Sequence, residues 1–137
     1  MIRRLLLAIA ATPIIAAAQS AAPAPAPEIF FRAPANGATV SKTFTVVFGL
    51  RNYGVAPAGV AGVPNAGHFH VLVDTDAGAP GTVIPKDSLN LHFGTGLIET
   101  TITLPPGKHT LRLVLGDFEH KVIGPQLVSK PITVTVK

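Results

Sequence analysis

Cysteine is absent from this 137-residue chain, and methionine occurs only as Met1. Without thiols there is no disulfide, no lipidated cysteine and no thiolate to offer a metal. Once Met1 is lost with an N-terminal leader, blue-copper, cysteine-zinc and thioether copper(I) sites are all excluded. Imidazole and carboxylate are the ligands that remain. Aromatic residues make up only 6% of the chain, too few to line a sugar cleft, and charged residues only 13%. The cations are scattered singly rather than clustered, which excludes a phosphate-binding stripe and with it nucleic acid as a partner. No Gly-x-Ser-x-Gly elbow is present, and Ser41, Ser88 and Ser129 sit beside turn or strand-end residues, so no catalytic motif supports an enzyme.

At the N-terminus, Arg3 and Arg4 precede the apolar run Leu5 to Ala11, and Ala16 to Ala18 offer small residues for cleavage, the pattern of a secretory signal. The alternative, a membrane anchor, needs about 20 apolar residues, and Thr12-Pro13 interrupts the run well before that. Residues 1–18 are therefore expected to be a cleaved signal peptide, giving a periplasmic or secreted protein with no stable membrane anchor. Losing Arg3 and Arg4 leaves nine cations against seven acids, a net charge of +2 rather than +4. Residues 19–27, with Pro23, Pro25 and Pro27 alternating with alanine, predict a disordered spacer, and residues 28–137 a single domain.

From Glu28 onward, short β-branched and aromatic runs alternate with Gly, Pro and Asn clusters, predicting an all-β, immunoglobulin-like antiparallel β-sandwich of about seven strands. Strands are expected at 29–32, 43–50, 68–74, 97–104, 109–115 and 132–137, with a short one at 91–93, and no helix. Period-two alternation marks three core faces: Phe44, Val46 and Phe48; Leu111, Leu113 and Leu115; Ile132, Val134 and Val136. Pro34-Ala35-Asn36-Gly37 and Pro105-Pro106-Gly107 read as chain reversals. Two connections rich in Gly, Ala and Pro, 52–67 and 75–90, flank the 68–74 strand.

That strand carries the strongest chemical signal, Gly67-His68-Phe69-His70-Val71-Leu72-Val73-Asp74. Alternation sets His68, His70, Leu72 and Asp74 on one face and Phe69, Val71 and Val73 on the other, so the apolar face is buried while two imidazoles project together. Side chains two apart on a strand stand about 6–7 Å apart, close enough to reach one ion, and imidazole suits zinc or copper(II). The alternative is a pair of histidines titrating in water. His92, before Phe93-Gly94, and His120, after Asp117-Phe118-Glu119, fall at strand ends or loops and are expected to complete the ligand set. Asp74, Asp117 and Glu119 are the auxiliary carboxylates. His109 shares parity with Leu111 and Leu113 and reads as structural. Asp74-Thr75-Asp76 opens like a calcium loop, but Ala79 and Pro85 occupy positions that need Gly and Glu.

The segments Gly54 to Gly59, Gly67 to Asp74, His92-Phe93-Gly94, Leu104 to Leu111 and Leu115-Gly116-Asp117, in that order, resemble a family of bacterial exported proteins, domain of unknown function 4399. The resemblance extends from about Phe31 to Val136. It implies a histidine-bearing site in which His68, His70, His92 and His120 match the family pattern. Phe69, Asn90 and Phe118 stand where members often carry histidine, so this chain would hold a reduced version of the cluster. Two functions compete: binding of a divalent transition metal, copper(II) or zinc, and a non-enzymatic envelope interaction or adhesion module that meets a partner protein through its Gly/Pro-rich loops.

Overall fold

The computed structural model describes residues 23–137; the expected signal peptide and the first four residues of the spacer lie outside them. Residues 23–27 form no regular element. Nine strands follow: β1 (Glu28–Ala33), β2 (Ala38–Val40), β3 (Thr43–Arg51), β4 (Gly54–Val55), β5 (Ala66–Val73), β6 (Asn90–Phe93), β7 (Glu99–Thr103), β8 (Gly107–Gly116) and β9 (Ile132–Val136). One 3-10 turn, Pro125–Leu127, is the only helical element among the described residues. None of their helices is long and apolar enough to cross a membrane.

The strands form two sheets, β1-β3-β7 and β2-β9-β8-β5-β4, with β6 also pairing along β5. Pairing is antiparallel except at two short edges, β2 with β9 and β4 with β5. The architecture is the expected immunoglobulin-like sandwich, with β2 and β4 added to the anticipated strands. Alternation accounts for its centre. Phe44, Val46 and Phe48 of β3 face Leu111, Leu113 and Leu115 of β8, Val134 and Val136 of β9, and Phe69, Val71 and Val73 of β5 in one buried cluster. Ile132, at the start of β9, packs against it only partly buried. Phe48 and Phe69 meet across the sheets with ring centroids 4.6 Å apart, and each aromatic buried there contributes about 1.5–3 kcal/mol.

The second face of β5 and β8 is covered as well. A smaller buried cluster of Leu72, Ile84, Val114 and Val122 lies there, beneath the 74–90 connection and the 117–124 segment. Those two segments are stitched together by backbone hydrogen bonds: Gly81 N–H donates to Val122 O at 2.8 Å, Val122 N–H to Thr82 O at 2.9 Å and Ile84 N–H to His120 O at 2.7 Å. Irregular chain thus roofs one face of the larger sheet, and β5 is buried on both sides.

Candidate metal centre

His68 and His70 stand two apart on β5 and point to the same side, as the pleat requires. Their environment departs from the projecting pair expected from the sequence. Both are fully buried, because the roof over the second face closes above them. Antiparallel register brings the third ring. His70 lies directly opposite His92 of β6, and residues opposite one another share a face, so His92 joins from the neighbouring strand. The same register sends Leu91 and Phe93 to the main core.

His120 arrives from the roof. After β8 the chain reverses through Asp117 to Lys121, where Asp117 Oδ1 accepts the N–H groups of Glu119 and Lys121, each at 2.9 Å. The N–H of His120 donates to Asp117 O at 2.9 Å, and His120 takes φ 65°, a left-handed conformation uncommon outside glycine. That turn swings the imidazole down onto the other three.

All four rings converge. The Nε2 atoms of His68 and His70 are 3.0 Å apart, and those of His92 and His120 are 3.1 Å apart. Ring centroids in the cluster are separated by 4.7 to 6.0 Å. One ligand atom from each of His68, His70 and His92 lies within 4.8 Å of the other two. With metal–nitrogen bonds of about 2.0–2.1 Å, two ligands 3.0 Å apart subtend about 95° at an ion, and a tetrahedral ion, which needs about 3.3–3.4 Å between donors, would spread each pair by a few tenths of an ångström. The group of His68, His70 and His92 does not extend to His120, so the two pairs are jaws that must close for one ion to reach all four rings.

Electrostatics keep the donors available. Burial, followed by the nearby His92 and His120, lowers the pKa of His68 to about 4, with the Asp117 carboxylate opposing. Burial and then the three neighbouring rings lower that of His70 to about 3. His92 is lowered too, by burial, His120 and Lys86. Neutral imidazoles with free lone pairs are what a metal requires. The Nδ1 atoms of His68 and His70 are buried without any hydrogen-bond partner. Packing and the Nε2–Nε2 contact between the two rings, with no partner at Nδ1, therefore set how these rings point. Two glycines make room: a Cβ at Gly116 would stand 2.9 Å from His70 Nε2, and one at Gly94 would stand 2.6 Å from His92 Nε2.

The carboxylates take other roles. Asp74 lies past the end of β5 at φ 54°, turned away from the histidine face. Its Oδ2 pairs with His109 Nδ1 at 2.7 Å and its Oδ1 accepts the Thr110 N–H at 2.7 Å. It is a lock at the opposite end of the strand. Glu119 binds the Lys121 ammonium at 2.8 Å on the surface. Of the three, Asp117 alone serves the cluster, through the turn that aims His120. His109 is structural, as expected, and both its nitrogens face acceptors, Asp74 and Pro105 O. Gly94 and Gly116 stand in motifs visible in the sequence, but the room they make for the His92 and His70 rings shows only in the fold.

A family model matches residues 46–137, a span that holds β5, β6, β8 and all four converging histidines. The chain belongs to the family described as domain of unknown function 4399. No curated protein and no solved structure matches it.

Proposed function

We propose that this member of the domain of unknown function 4399 family is an exported domain that binds one divalent transition-metal ion, copper(II) or zinc, through His68, His70, His92 and His120. The observation that carries the reading is the clustering of four imidazole rings from three separate elements, with centroids 4.7 to 6.0 Å apart and two Nε2–Nε2 separations of 3.0 and 3.1 Å. Clustering four imidazoles in a buried space sacrifices solvation and leaves two Nδ1 atoms unpaired, each costing about 1–3 kcal/mol, and a bound cation offsets that cost. Export rests on the leader pattern of residues 1–18 and on a ligand set without sulfur, which withstands an oxidising compartment.

Isothermal titration of the metal-free protein with zinc and with copper(II) tests the reading. One-to-one binding is expected, and its loss in the His68→Ala, His70→Ala variant. Absence of binding by either metal in the unsubstituted protein refutes it. Mass spectrometry of protein from the periplasmic fraction is expected to find the chain beginning near residue 19.

A second reading, an envelope interaction module, draws support from Val60, Val63 and Phe118, which are 45 to 46% exposed on neighbouring loops. The two readings are compatible in one molecule. Deleting the 52–67 loop and finding the envelope partners unchanged in a pull-down would remove the second.

A further inference from the structure

The spacing of the four rings bears on which metal they suit. Five of the six centroid separations fall between 4.7 and 5.0 Å, and the sixth, His70 to His120, is 6.0 Å. Four imidazoles around a tetrahedral ion, with bonds of about 2.0–2.1 Å, would have all six separations near 5.2 Å. A square-planar ion would set four near ~4.5 Å and two diagonals near ~6.4 Å. If His70 and His120 formed one diagonal, His68 and His92 would be the other, yet they stand only 5.0 Å apart.

The topology explains why the array is not flat. His68 and His70 follow one another along β5, His92 comes from the side on β6, and His120 descends from the roof. Four donors at different heights above a sheet enclose a point rather than ring it.

Resting on the metal-binding reading, we propose that the cluster is a closed tetrahedral four-imidazole site suited to zinc, with every coordination position filled by this chain. Zinc, a filled-shell ion, has no electronic preference that tetrahedral closure offends, whereas copper(II) prefers tetragonal surroundings and is held here under distortion. Sites with all four positions taken by protein hold their ion, and sites that hydrolyse keep one position open. The role assigned is therefore zinc retention or carriage, not metal-assisted hydrolysis. Exchange proceeds through His92 and His120, the half-buried jaw, because His68 and His70 have no exposed surface.

Cobalt(II) is the probe, because its visible bands are intense when it is tetrahedral and weak when it is six-coordinate. The full-length protein loaded with cobalt is expected to show intense bands that one equivalent of zinc abolishes. In His120→Ala, with the far-UV spectrum unchanged, the bands should lose intensity and zinc affinity should fall by at least about 100-fold, beyond the 10–100-fold typical of an outer hydrogen-bonding partner. Added imidazole should restore the bands. Should that variant fold poorly, His92→Ala is expected to give the same loss. Weak six-coordinate bands in the unsubstituted protein, or a His120→Ala spectrum and affinity equal to it, would overturn tetrahedral closure while leaving metal binding in place. Failure of both zinc and cobalt to bind would bring down the underlying reading as well.

Discussion

The two ends of β5 use the same side chain in opposite ways. At one end His68 and His70 sit among other imidazoles under a roof, and burial drives their pKa values down to about 4 and about 3. At the other, the Asp74 carboxylate just past the strand bonds His109 and raises its pKa, outweighing burial, which pulls the other way. The first environment keeps His68 and His70 neutral, the form in which imidazole binds a cation. The second maintains a cation already made, since both His109 nitrogens face acceptors and two protons are needed to satisfy them. Proximity of a carboxylate thus distinguishes a histidine that binds from a histidine that braces.

The largest expected consequence of that contrast is in the pH dependence of folding without metal. His68 and His70 have folded pKa values below the unfolded value near 6.5, so below that pH the unfolded chain takes up protons that the folded chain refuses. Stability should be full above about pH 6.5 and fall as the pH drops toward 4, by up to about 1.4 kcal/mol per pH unit for each ring. Urea unfolding in the presence of a chelator should show a loss of about 3 kcal/mol or more between pH 7 and pH 4.5. Replacing both rings with leucine should flatten this slope. A slope that persists in the double variant would assign the acid sensitivity to other groups.

Where that contrast was legible in the sequence, and where it was not, follows from how far periodicity reaches. The pleat rule is sufficient to place His68 and His70 together, and Phe69, Val71 and Val73 in the core. Carried one residue too far, the same rule also puts Asp74 on the histidine face, and only the left-handed turn at the strand end removes it. Burial of the pair was not legible, because the roof is built from the 74–90 and 117–124 segments, whose irregular backbone has no period to read. The strands β2 and β4 escaped for a related reason. At three and two residues they are shorter than one readable alternation, and each pairs in parallel with a strand remote in the chain or across a loop. His92 was legible as a candidate but not as His70's opposite number, since β5 and β6 are joined by a long irregular connection that fixes no hairpin register.

The next effect down bears on the metal end alone. Gly94 packs against the His92 ring and close to Ala58, 3.0 Å from where a Cβ would stand. Gly94→Ala should push the ring out of register with its partners while leaving β5 and the core untouched. Zinc affinity is expected to fall by about 10- to 100-fold, the range seen when a ligand's orientation is disturbed, with urea stability of the metal-free protein changed by less than about 0.5 kcal/mol. Equal affinity in the variant would mean that His92 is free to reorient and that the glycine is there for the backbone only.

The smallest effect tests the brace. Burial opposes ionisation of Asp74, but the Thr110 N–H and His109 outweigh it and hold the carboxyl below its usual range. His109 is shifted the other way, so the ion pair exists between the low pKa of Asp74 and the raised pKa of His109. Its contribution is complete below the unfolded histidine pKa as long as Asp74 stays ionised, and is lost as the pH rises through the folded value for His109. Asp74 is 43% exposed, so solvent screens the pair and limits it to about 1 kcal/mol. Asn is the suitable replacement, because it tolerates the left-handed backbone at this position and keeps an oxygen for the Thr110 N–H. Asp74→Asn should therefore destabilise by about 1 kcal/mol at pH 5.5 and by much less at pH 9, with zinc binding unaffected. A cost that stays the same at both pH values would show that the hydrogen bond to Thr110, and not the charge on His109, closes this end of the strand.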